Sequence, residues 1–275
     1  MLSQTSRFLT YLTAVLYAIT GAALFFFPET IAPVFAWKVT PFMTMTIGGW
    51  ALGNAWLAWI TARRWEWGLV YTSLIYLWLF GLLETAVLFA FRSRLVLGHP
   101  IAWLYLATLS VNVITAVVGI IDYLRIRPSR EDFGPRVGLG SRISVVAFIL
   151  FVGFLALYGM VVQIGAPGTR GGIFPEEMSL FTLRSFAAFY LSLSLAVIPL
   201  LTERNLYTFL HHSIASYGLI IFITLAAFVY IGLFDFVQRP GGLVYIGAYL
   251  AVGIPLLFVF SRLGTGAPGA RKVRV

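Results

Sequence analysis

The sequence predicts an all-α polytopic membrane protein, a bundle of eight transmembrane helices in two parallel four-helix repeats. Three observations predict it: eight long apolar runs, basic residues gathered between alternate runs, and a faint recurrence at a spacing of 140 residues. Hydrophobic residues make up 60% of the chain and charged ones 11%, against about 25% charged in soluble domains. A soluble fold of this length cannot hide so much apolar surface.

The runs cover roughly 8–27, 41–61, 67–91, 101–123, 143–164, 182–201, 207–234 and 241–261. Each is long enough to cross about 30 Å of hydrocarbon as a helix, the one open structure that satisfies its own backbone there. The first run holds no cleavage-like small-residue site after Phe25-Phe26-Phe27-Pro28, so an uncleaved span is expected. Pro28, Pro41, Pro100 and Pro240 mark turns or first helical turns. Pro199 and Pro255 fall inside spans six and eight and are expected to kink them. Trp65, Trp67, Trp103, Tyr207 and Tyr245 suit interfacial aromatic belts.

Orientation follows from the basic residues. The N-terminus, loops 62–66, 124–142 and 202–206, and the tail hold thirteen; the opposite loops hold six, Lys38, Arg92, Arg94, Arg170, Arg184 and Arg239. The positive-inside rule then puts both termini in the cytoplasm, here of a prokaryotic-type plasma membrane. The expected domains are a first repeat at 1–127, a basic Pro/Gly-rich linker at 128–142, a second repeat at 143–263 and a tail at 264–275.

A shift of 140 residues superposes Arg64 on Arg204, Ser73 on Ser213, Pro100 on Pro240 and Tyr105 on Tyr245. Leu16-Tyr17 matches Leu157-Tyr158, and Phe27-Pro28-Glu29 matches Phe174-Pro175-Glu176 once an insertion is allowed. Four spans per half make the repeats parallel, related by an axis along the membrane normal. After each Phe-Pro-Glu comes a short apolar piece, 31–37 and 178–183, expected to lie in the outer interface.

Polar groups at membrane depth are the candidate site residues. Glu84 lies about 25 Å into the third span, and Arg184 enters span six at similar depth, so a Glu84–Arg184 pair is expected to neutralise both. Asn54 and Asn112 are mid-depth groups suited to interhelical hydrogen bonds. On the cytoplasmic side, His211, His212, Glu203 and Asp122 form a candidate metal or proton-relay set. Adjacent helical residues point about 100° apart, however, which works against one ion held by both histidines. Small residues at four-residue spacing (Gly49 and Gly53; Ala14, Ala18 and Ala22; Gly247 and Ala251) are expected contact faces.

The chain lacks cysteine, and its two lysines, Lys38 and Lys272, lie outside the spans. Thiolate ligands, disulfides and an intramembrane Schiff base are thereby excluded. No phosphate-binding glycine loop, dinucleotide fingerprint, zinc-protease motif or nucleophile elbow occurs. No cofactor is expected. The net charge of +9 sits at span ends rather than in a basic stripe, so the expected partners are the lipid bilayer and other membrane subunits, not nucleic acid. Scarce polar groups at depth favour a non-catalytic structural or accessory subunit packed within a larger membrane complex. The alternatives are a small transporter for a hydrophobic or lipidic substrate and, less favoured, a membrane-embedded lipid or isoprenoid enzyme using the histidine cluster.

Overall fold

A computed structural model of the chain describes residues 1–129, 135–163, 178–238 and 240–263. The described residues form helices and no strand. In chain order these are α1 (Gln4–Phe26), α2 (Pro28–Ile31), α3 (Pro41–Arg64), α4 (Trp67–Ala90), α5 (Pro100–Ile126), α6 (Leu139–Val161), α7 (Leu180–Val197), α8 (Leu206–Val229) and α9 (Gly241–Leu263). Seven of them are long and apolar enough to cross a membrane: α1, α4, α5, α6, α7 with its 3₁₀ extension to Leu201, α8 and α9.

The eighth expected span, α3, has the length, 24 residues, but falls short in apolarity. The reason is its place. It runs between α1, α8 and α4, where Thr44, Thr46, Gly48, Gly49, Trp50, Gly53 and Asn54 are all buried in protein rather than turned to lipid. Close approach explains the glycines: a Cβ on Gly48 would stand 2.5 Å from the Phe25 backbone nitrogen, and one on Gly53 would meet the Leu219 backbone at 2.7 Å.

Helix ends follow local chemistry. Ser3, Thr40, Ser179 and Asn205 cap α1, α3, α7 and α8 through their side chains, each satisfying an otherwise orphaned N–H. Pro41 and Pro100 open α3 and α5 at positions whose missing N–H costs nothing. Pro199 does not kink a longer helix; α7 stops at Val197 and a 3₁₀ turn carries the proline. Pro255 stays inside α9.

Several expected lipid or interface contacts prove internal. Phe35, Ala36 and Trp37 turn inward: they are fully buried in the main core, where Trp37 stacks on Phe181 at 4.5 Å and packs edge-on to Tyr105 at 5.4 Å. This segment plugs the end of the bundle opposite the N-terminus, the far end. Trp65, Trp67 and Tyr245 are buried in packing as well, while Trp103 is exposed. Of the small-residue faces, Gly49 and Gly53 lie against α8. Ala18 of α1 is exposed; Gly247 and Ala251 are exposed because α9 packs mainly on α8 and leaves its other faces open.

The expected linker is partly integrated. Its residues 130–134 lie outside the described residues, as do Phe174-Pro175-Glu176, Arg170, Arg239 and the tail 264–275. Flanking them, Val137 N donates to Arg204 O at 3.1 Å and Leu206 N to Pro135 O at 2.9 Å. The connection is thus stitched to the turn between α7 and α8.

Candidate functional site

Two regions of the bundle carry the polar chemistry. The first is the seam between α1 and α5, which run antiparallel. Ser3 and Ser6 bond the Asp122 carboxylate; Thr13 meets Thr115 at 2.8 Å; Asn112 Nδ2 donates to the Tyr17 hydroxyl at 2.8 Å; Thr20 meets Thr108 at 2.7 Å. The participants recur at three- and four-residue steps, 6, 10, 13, 17, 20 on α1 and 105, 108, 112, 115, 119, 122 on α5. Helical neighbours at those steps share one face, so two polar stripes close on each other. Gly119 admits the Trp78 ring and Gly81 the Asn112 amide, each closer than a Cβ would allow.

Mid-bundle, the seam continues into α3 and α4. Tyr76 donates to Asn54 Oδ1 at 2.8 Å, and Asn112 Nδ2 also reaches Leu77 O at 3.2 Å. Tyr105 donates to Glu84 Oε1 at 3.0 Å. Glu84 is fully buried, and its Oε2 closes no hydrogen bond, although Ser185 of α7 is the other polar side chain acting on the carboxylate. Asn54 Nδ2 and Asn112 Oδ1 are likewise unpartnered. Phe80 packs against both the Tyr17 and the Tyr76 rings.

The expected Glu84–Arg184 pair does not form. Arg184 turns toward α6, where its guanidinium donates to Gly159 O and, at 2.9 Å, to Val162 O. Those carbonyls belong to the last turn of α6, which has no intrahelical donors for them. The residue of α7 that faces Glu84 is Ser185, one step on and about 100° around the helix.

The expected cytoplasmic-side cluster does not assemble either. Asp122 is held by Ser3 and Ser6 at the start of α1. Glu203 accepts from the Tyr71 hydroxyl at 2.7 Å and from the Arg204 and Asn205 amides, bracing the entry to α8. His211 sits against Ile60 and Arg64 of α3 with neither ring nitrogen hydrogen-bonded. Among the described residues no group of three or more His, Asp or Glu side chains is placed to hold a metal.

His212 points elsewhere, into the second region. A cavity of about 160 Å³ opens between α6 and α9, with α7 and α8 behind it. Phe148, Phe151, Phe189, Tyr190, Tyr245 and Tyr249 give it aromatic walls, and no charged side chain of the described residues lines it. His212, Ser213, Ser216 and Ser144 are its polar groups toward the N-terminal end of the bundle, the near end. His212 Nδ1 is tied to Ser73 Oγ of α4 at 3.2 Å. Higher up, the Tyr190 and Tyr249 hydroxyls meet at 3.3 Å.

Comparison with protein families, with curated proteins and with solved structures returned no match for this chain. Function therefore has to be read from this geometry. The seam is closed by direct side-chain hydrogen bonds, whereas the cavity opens between α6 and α9. Reasoning from sequence missed Ser73, Tyr190 and Tyr249, which are ordinary span residues until α4, α7 and α9 bring them to the cavity. The polar stripes of α1 and α5 had a legible signal in their three-and-four spacing.

Proposed function

We propose that the chain is an integral membrane protein that binds a hydrophobic, lipidic molecule between α6 and α9 and works as a small carrier or transporter for it. One observation carries this reading: a cavity with an apolar, aromatic wall opens between two helices whose outer faces are themselves apolar and exposed. An apolar cavity of about 150 Å³ stays dry and takes up a body the size of benzene. This one accepts a single chain or ring arriving laterally from the bilayer, not a hydrated solute.

The reading includes α3 as an eighth span, both termini on the cytoplasmic side, and two quasi-equivalent four-helix halves. The duplication draws support from matched detail. Helices α4 and α8 each have 24 residues, each is followed by a 3₁₀ turn, and they begin side by side, Thr208 Oγ1 donating to Gly68 O at 2.6 Å. The antiparallel pair α3/α8, with Gly49 against Phe222, has its counterpart in α7/α4, with Phe189 against Phe80. A parallel duplication is one of the architectures in which a substrate site is shared by helices of a bundle.

The test is purification of the intact chain from its membrane in mild detergent, followed by mass spectrometry of retained small molecules. One hydrophobic molecule per chain is expected, lost when Ala248→Trp fills the cavity in a variant that still elutes as the native particle. An equal lipid complement in both proteins would overturn the reading.

An accessory-subunit role is the second reading, favoured by α9, which leans mainly on α8 and exposes Leu243, Val244, Ile254, Leu257 and Phe258. Under it, a stoichiometric membrane partner co-purifies and crosslinks to α9 rather than a lipid occupying the cavity.

A further inference from the structure

The cavity's polar groups are not equivalent. Ser216 gives its hydroxyl to His212 O at 2.8 Å, and Ser144 to Gly140 O at 3.1 Å, both within their own helices. Tyr190 and Tyr249 engage each other. Tyr245 is engaged by Thr46 of α3. That leaves His212 and Ser213, adjacent on α8. Ser73, fully buried on α4, makes its one hydrogen bond to His212 Nδ1. With the Ser73 hydroxyl as the donor of this pair, Nδ1 is its acceptor. In a neutral ring this puts the imidazole proton on Nε2, the nitrogen left to the cavity. The cavity therefore presents a fixed N–H donor in an otherwise apolar wall.

Depth narrows the acceptor. His212 is the seventh residue of α8, about 9 Å along its axis. A headgroup layer is roughly 5–8 Å thick, so a donor at this level stands where the hydrocarbon begins, which is where the ester carbonyls of acyl lipids lie. With no charged residue among the described residues of the lining, a buried anionic head finds nothing there to neutralise it, whereas a carbonyl oxygen needs only the donor.

The geometry points to an acyl ester as the occupant, one acyl chain lying in the cavity and its ester carbonyl accepting a hydrogen bond from His212 Nε2. This inference rests on the lipid-binding reading above and adds the ligand's chemistry and its anchor.

The probes are radiolabelled methyl laurate and tridecane, an alkane of the same carbon count without the ester, added to the delipidated full-length protein. Methyl laurate should bind roughly threefold to tenfold more tightly, the worth of one hydrogen bond. His212→Phe should erase that preference while tridecane still binds, and His212→Gln, which keeps an N–H donor, should retain part of it. Ser73→Ala, which frees the ring, should lower the preference without touching the cavity and serves if His212→Phe fails to fold. A preference that survives in folded His212→Phe, or in folded Ser73→Ala at full strength, overturns the anchor. A decyl benzoquinone that binds more tightly than methyl laurate in a His212-dependent way overturns the ester assignment. Failure of the underlying reading looks different: Ala248→Trp then leaves both probes binding as before.

Discussion

The seam between α1 and α5 and the gap between α6 and α9 solve opposite problems. In the first, hydroxyl meets hydroxyl and amide meets phenol from Asp122 up to Thr20, with glycines taking the closest approaches. In the second, α6 presents Phe148, Phe151, Val152 and Leu155 and α9 presents Val244, Tyr245, Ala248 and Val252, and the two surfaces line a cavity. Apolar surfaces have little reason to close on each other in lipid, because lipid tails wet them equally well; hydrogen bonds and close backbone packing are what draw membrane helices together. Where the chain supplies those, the seam is shut. Where it does not, space remains for a ligand.

The largest expected effect sets glycine against glycine. Gly48→Ala forces a Cβ onto the Phe25 backbone, which cannot swing aside, and should destabilise the protein by roughly 1–3 kcal/mol. Gly247, on α9, has nothing within 4 Å, so Gly247→Ala should instead stabilise by about 0.5–1 kcal/mol through helix propensity alone. Unfolding in mixed micelles by titrated denaturing detergent measures both. Equal destabilisation by the two variants would erase the contrast between closely packed helices and an open one.

A smaller difference is expected from single hydrogen bonds. Asn112→Leu removes the partner of the Tyr17 hydroxyl in a closed seam and should cost about 1–3 kcal/mol, the penalty for a buried group left unpaired. Tyr190→Phe breaks the 3.3 Å contact with Tyr249 beside the cavity, where the abandoned hydroxyl can turn to the open space. The same unfolding assay should find about 0.5 kcal/mol there.

Much of the architecture was legible from apolar run length, because backbone satisfaction in lipid leaves a long run no alternative to a helix. The exception is α3: its identity as a long helix could be read, but its Thr, Gly and Asn content records burial by neighbouring helices, which a span criterion registers as reduced apolarity. Site residues were harder. Depth along a span follows from counting, and it placed Glu84 and Arg184 at one level; azimuth does not, and one residue of rotation gives Ser185 to Glu84 and Arg184 to α6. The same loss of azimuth grouped Asp122 and Glu203 with the histidines although they brace different helix entries. The cavity lay beyond reach because it is made by a contact that α6 and α9 do not make, and no residue type announces an omitted contact.

The least effect is the most telling for the electrostatics. Side chains that form a buried ion pair depend on each other, so a double-mutant cycle returns a coupling of about 0.5–3 kcal/mol. Glu84 instead leans on Tyr105, and Arg184 on the end carbonyls of α6. Glu84→Gln keeps an oxygen for the Tyr105 hydroxyl and should cost under about 1 kcal/mol. Arg184→Gln gives up one of two carbonyl contacts and should cost about 1–2 kcal/mol, felt at the end of α6. Because the two losses fall on different helices, the double variant should show their sum to within about 0.5 kcal/mol. A larger coupling would mean that the arginine swings across to the carboxylate in the bilayer. The end of α6 would then lose its anchor, and with it the geometry that holds the cavity open.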